Sequence, residues 1–139
     1  GLNTVSTVTD FHISKLSGDD YTFSVHNGPD AGGNDIILGT EGNDELYGGI
    51  GNNIYVAGAG ADIFIFKDQE DNRGGIDLIK DFDLSEDVLD FTEIETLTRS
   101  GLTYADNSYG NVVISSPEET IELQGITAAE ISDAIFVFA

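Results

Sequence analysis

An Asp or Asn recurs every nine residues at Asp35, Asp44, Asn53 and Asp62, and its surroundings repeat in phase. Two residues before each stands a glycine (Gly33, Gly42, Gly51, Gly60), and two residues after each a large apolar residue (Ile37, Leu46, Tyr55, Phe64). A fixed internal period constrains a chain strongly, because each unit can bury its apolar position only against another copy. One Asp or Asn beside glycine marks an ordinary β-turn. Four in phase, with an apolar residue locked to the same offset, mark a stack of repeating coils.

Each unit divides into a six-residue, glycine-rich turn and a three-residue x-U-x segment. Glycine admits positive φ and lets backbone carbonyls turn toward a common point. The x-U-x segment is a short strand whose middle side chain points inward. Two turns and two strands close one coil of 18 residues, which predicts Asp35 over Asn53 on one edge and Asp44 over Asp62 on the other. Rungs of a sheet lie about 4.8 Å apart, and carboxylates at that spacing repel unless a cation lies between them. Ca2+ takes six to eight oxygens at roughly 2.3–2.6 Å, whereas Mg2+ demands a stricter octahedron and keeps its waters. Candidate donors, as carboxylates, amides or turn carbonyls, are Asp30, Gly32, Gly33 and Asp35 in the first turn, and Gly39, Glu41, Gly42 and Asp44 in the second. In the third and fourth they are Gly48, Ile50, Gly51 and Asn53, then Ala57, Ala59, Gly60 and Asp62. Asn53 removes a charge, so the Asp35/Asn53 edge is expected to bind more weakly; Ala31, Thr40 and Ala57 stand where the repeat has glycine.

Composition agrees with a cationic ligand. Acidic residues number 26 against 5 Lys plus Arg, a formal charge of −21 that opposes nucleic acid and anionic membranes. A solvated acidic surface would give the same balance. Cysteine is absent, so no disulfide or thiolate site exists, and a bound metal would be the available staple. Zinc is disfavoured because His12 and His26 lie outside the repeats and no H-E-x-x-H motif occurs. No apolar run is long enough for membrane insertion. The chain opens at Gly1 without Met, which reads as a piece of a longer protein.

After the repeats come GADIFIF, DLIKDF and EDVLDF. Together with the nonapeptides, these resemble the RTX calcium-binding β-roll of serralysin-type proteases, mannuronan epimerase R-modules and large adhesins. The resemblance spans roughly 31–139 and is weak before Asp30. It implies an all-β module with a short right-handed parallel β-roll over 31–66 and an antiparallel β cap over 67–139; the residues themselves add N-terminal strands over 1–30. The resemblance implies several bound Ca2+ ions, with Asp77 and Asp81 completing the last calcium turns, and Asp81 lies 19 residues after Asp62, close to one further coil; a solvated acidic strand edge is the alternative for both. The tail TAAEISDAIFVFA is similar to a type I secretion signal and equally reads as a last core strand.

Within the cap, LTYAD and NVVISS flank a DNSYG turn, and PEE separates NVVISS from TIELQG, two expected hairpins. Tyr104, Tyr109, Val113, Ile121 and Leu123 are expected in its core, and Thr127 caps a short helical turn. TVTDFHIS and DDYTFSVH read as strands either capping the first coil or completing a preceding domain. Asp10, Asp19 and Asp20 are further first-turn candidates. No nucleophile–base pair and no G-x-S-x-G motif occurs, so the module is expected to be non-enzymatic. The expected partners are calcium ions, the type I secretion machinery, and a polysaccharide or cell-surface target. The expected setting is a secreted protein: an adhesin first, a polysaccharide (alginate)-binding module of an epimerase second, a protease or lipase terminus third.

Overall fold

The computed structural model describes residues 8–17, 20–27, 36–48, 51–67, 75–117 and 119–139. Short strands alternate between two facing sheets, as a nine-residue unit demands. Sheet A contains β1 (Val8–Ser17), β2 (Asp20–Asn27), β4 (Glu45–Tyr47), β6 (Ile63–Lys67), β8 (Val88–Glu93) and β12 (Phe136–Val137), in that spatial order. Sheet B contains β3 (Ile36–Leu38), β5 (Ile54–Val56), β7 (Ile76–Ile79), β11 (Thr120–Leu123), β10 (Val112–Ser115) and β9 (Thr103–Asp106), again in spatial order. No α-helix occurs among the described residues.

The expected phase holds. Leu46 pairs with Phe64, and Ile37 with Tyr55, each in parallel register one nominal coil apart. The stacking then continues past residue 66: Tyr55 pairs with Ile79 and Phe64 with Leu89, although the nonapeptide period has ended. Two apolar ladders therefore fill the space between the sheets. Leu46, Phe64, Leu89 and Phe136 line sheet A. Ile37, Tyr55, Ile79 and Leu123 line sheet B.

Strand periodicity explains a second, polar ladder. The Asp or Asn lies two residues before the inward apolar position and so faces the same way. Asp44, Asn53, Asp62, Asp77 and Asp87 are all 2% exposed or less.

Both ends of the roll are covered. β1 and β2 form an antiparallel hairpin, and β2 joins β4 in parallel, so these strands cap the first coil. At the other end β9, β10 and β11 form the two expected antiparallel hairpins. Two core expectations are corrected there. Tyr109 is 85% exposed because it sits at the tip of the β9–β10 turn, where side chains point to water. Val113 faces outward because Val112 and Ile114 take the inward positions of β10. Thr127 precedes a 3-10 turn at Ala128–Glu130, and the Glu130 carboxylate accepts from its N–H and hydroxyl. The tail does form a core strand. Phe136 and Phe138 pack on Phe91 with ring centroids 6.2 and 5.9 Å away.

Candidate calcium-binding turns

Turns at 39–44, 57–62 and 80–87 lead from sheet B to sheet A and stack along one edge. The chain returns from β4 in sheet A to β5 in sheet B along the opposite edge, where Gly48 and residues 51–53 are described. Successive turns lie so close that glycine is needed at the contacts. Gly58 has φ +90° and Gly60 φ +100°; a Cβ on Gly58 would meet the carbonyl oxygen of Thr40, and one on Gly60 that of Gly42. Carbonyls of one turn thus face the backbone of the next. Gly39 touches the same cluster, since a Cβ there would stand 2.7 Å from the Asp44 carboxylate. Thr40, which replaces a repeat glycine, instead adds bonds: its N–H and hydroxyl donate to Asp44 at 2.6 and 2.9 Å.

Asp62, Asp77 and Asp87 each reach back to the preceding coil. Asp62 Oδ1 accepts from the Asp44 N–H at 2.9 Å, 18 residues earlier. Asp87 Oδ1 does the same for the Asp62 N–H at 2.9 Å, and Asp77 Oδ1 for the Asn53 N–H at 2.9 Å. Asp81 does not continue this ladder beneath Asp62, as its spacing had suggested. It sits at the head of its turn and accepts from the N–H groups of Ala57 and Gly58 at 3.0 and 2.8 Å.

Carboxylates crowd this edge. Burial pushes the Asp62 carboxyl up to about 7, helped by the carboxylates of Asp87, Asp44 and Asp81 and opposed by the Asp44 N–H. Burial likewise lifts Asp77 to about 7 and Asp87 to about 6. Asp83, fully exposed, moves the other way because the Ser85 hydroxyl and N–H bind its carboxylate. Lys67 pairs with Glu93 and Arg99 with Asp133, away from Asp62.

A hard cation fits these donors. Asp62 Oδ2 is buried and has no hydrogen-bond partner, a costly arrangement for a carboxylate. Among the described residues no three His, Cys, Asp or Glu side chains converge as a metal cluster. A site built from side chains alone is therefore absent there, and oxygen donors must include turn carbonyls, which suits Ca2+.

The structure brings Gly39, Gly42, Asp44, Ala57, Gly60, Asp62 and Asp81 onto one edge, with exposed Glu41 and Ala59 in the same turns. Gly48, Gly51, Asn53 and Asp77 belong to the other. Asp30, Gly32, Gly33, Asp35 and Ile50 lie outside the described residues, as does the Asp35/Asn53 contact. Sequence reasoning missed Asp87, although its place two residues before Leu89 matches that of Asp62 before Phe64. It also missed buried Glu119 and the amides of Asn43 and Asn52.

Fold and turns define a calcium-binding β-roll, and the comparisons agree. Residues 31–64 match the RTX calcium-binding nonapeptide repeat in four copies. The R2 subunit of the AlgE6 mannuronan C5-epimerase from Azotobacter vinelandii is 31% identical, over 78% of this chain and 79% of that one, with TM-score 0.60. The R3 subunit of the same enzyme is 26% identical, over 94% of this chain and 87% of that one, with TM-score 0.59. The extracellular lipase LipA of Serratia marcescens shares the fold, at 24% identity and TM-score 0.50, over 88% of this chain and 20% of the lipase. No curated protein matches in a sequence comparison. The chain belongs to the RTX calcium-binding repeat family, whose nonapeptides bind Ca2+.

Proposed function

We propose that this module is a calcium-gated folding unit of a larger secreted protein. The ions would be held on the 39–44, 57–62 and 80–87 edge by Asp44, Asp62 and turn carbonyls, with Asp81 and Asp87 below. On the other edge Asn53 and Asp77 would serve with the carbonyls of the 48–53 turn. The buried, unpartnered Asp62 Oδ2 carries this reading. A calcium ion bound there supplies the positive charge that the stacked carboxylates lack. Extracellular sites of this type have dissociation constants of about 10⁻⁴–10⁻³ M. Calcium about tenfold above such a value adds roughly 1.4 kcal/mol per site, so several sites approach a typical domain stability of about 5–15 kcal/mol. In a calcium-poor compartment the chain stays open; outside the cell it closes. Circular dichroism in EGTA and in millimolar calcium tests the idea, and a complete β spectrum in EGTA overturns it.

The likeness to two epimerase subunits over most of their length favours an enzyme as the parent, with this module as a non-catalytic accessory to a polysaccharide-modifying domain. It gives an adhesin terminus no such support. Passage of the calcium-loaded module over mannuronan beads tests this: retention on that polyanion requires bound calcium to offset the −21 charge, and passage straight through the column counts against the reading. The 127–139 tail, if it also serves as a type I secretion signal, is read before it docks on Phe91. Fusion of the tail to a passenger, with export scored by its presence in the medium, tests that role.

A further inference from the structure

In two stacks the residue before the ladder Asp or Asn also makes a bond between coils, in the opposite direction. Asn43 Oδ1 accepts from the Ala61 N–H at 2.7 Å, while Asp62 Oδ1 accepts from the Asp44 N–H at 2.9 Å. Two neighbouring residues in one turn thus exchange bonds crosswise with the two aligned residues of the next. On the other edge the arrangement recurs: Asn52 Oδ1 accepts from the Ile76 N–H at 2.7 Å, and Asp77 Oδ1 from the Asn53 N–H at 2.9 Å. There the partners are 24 residues apart instead of 18, so the crosswise pair persists where the nonapeptide period has failed. The third stack has only half of it. Ala61 stands in the Asn position, Asp87 still accepts from the Asp62 N–H, and the Glu86 N–H turns to the Asp83 carbonyl.

We infer that Asn43 and Asn52 are positioning residues that couple ion binding in one turn to the placement of the next turn on the same edge. The inference rests on the calcium reading above. An ion that fixes the Asp62 carboxylate also fixes Ala61, the adjacent residue, and through the Asn43 amide it fixes the upstream turn. The reverse holds by reciprocity. In every stack the Asp bond is flanked by a backbone bond from the following strand (Ile63 N–H to the Asp44 carbonyl, Leu78 N–H to that of Asn53, Val88 N–H to that of Asp62); the Asn bond adds an attachment one residue further into the turn and so sets the turn's tilt. The carbonyls of Thr40 and Gly42, which face Gly58 and Gly60, lie on the segment so held.

The experiment is a calcium titration of the whole chain, followed by isothermal calorimetry for binding and by circular dichroism for folding. Asn43→Leu keeps the side chain's size and removes the acceptor. The loss of one net hydrogen bond should raise the folding midpoint roughly two- to tenfold, and the Hill slope should fall. Asn43→Asp restores an acceptor oxygen and should restore the slope. A purely structural loss would leave the slope unchanged and would not separate these two variants. If Asn43→Leu fails to fold even in saturating calcium, Asn43→Ala and Asn52→Ala make the same comparison with smaller perturbations. A wild-type Hill slope and midpoint in the Leu and Ala variants overturns the coupling role while leaving the calcium reading intact. Absence of heat from the wild-type chain itself overturns the calcium reading first.

Discussion

Replacing Asp62 by Asn should stabilise the ion-free chain and weaken its response to calcium. The substitution keeps Oδ1, which accepts from the Asp44 N–H, and exchanges the unpartnered Oδ2 for a neutral amide nitrogen. A carboxyl lifted from 3.8 to about 7 is held more easily as the acid in the folded chain. The full shift corresponds to about 4 kcal/mol at pH values above it. Water reaching the turn screens part of this, leaving an expected ~1–3 kcal/mol. The sign follows from linkage. Between pH 4 and 7 the folded state binds more protons than the unfolded one, so ion-free stability falls as pH rises and levels off above about 7. In EGTA at pH 8, with sucrose added to populate the folded form, Asp62→Asn should resist urea better than wild type by that ~1–3 kcal/mol. Its advantage should shrink toward pH 4. In calcium that gain is offset, because the amide cannot neutralise the ion: affinity at this site should fall about tenfold, which removes ~1.4 kcal/mol of the calcium-dependent stabilisation. Urea titrations followed by circular dichroism read both arms. Equal calcium midpoints in the two proteins, with no gain in EGTA, would refute the assignment of the buried oxygen to an ion.

Asn53→Asp adds the missing charge directly over Asp77, so calorimetry should show tighter calcium binding; an unchanged affinity counts against the weaker-edge reading. Gly60→Ala places a methyl group against the Gly42 carbonyl at φ +100°. It should cost about 2 kcal/mol or more in a calcium-loaded melt. Gly110→Ala, at φ +80° with open space around it, should cost only ~1 kcal/mol. Phe136→Ala removes a buried ring from the Phe91 stack and should cost about 3 kcal/mol in urea, with no change in ion stoichiometry.

The nine-residue period made much of this legible. Where spacing was strict, from Ile37 to Phe64, the coil arithmetic placed Asp44 on Asp62 without reference to any coordinates. Past Phe64 the coils lengthen, and counting residues from Asp62 led to Asp81 instead of Asp87. The better guide was local: an acid two residues before a buried apolar residue, as Asp77 before Ile79 and Asp87 before Leu89, faces the same way as that residue, whatever the loop length. Asn43 and Asn52 were harder to see. A polar residue in a turn is expected to face water, and both do lie on the surface; only stacking reveals the N–H groups they meet. Tyr109 was misplaced because alternation was extended into a hairpin tip, where no partner strand exists.

The two-residue strand at Phe136 lies beside Leu89, with the β9–β11 hairpins intervening along the chain. Any process that delivers this polypeptide from its N-terminal end, as a ribosome does, therefore leaves one side of the Phe91 ring, stacked on Phe66 alone, uncovered until the FVF segment arrives. Closure waits for the last-needed piece, and partial products present an adhesive aromatic patch in place of a finished wall.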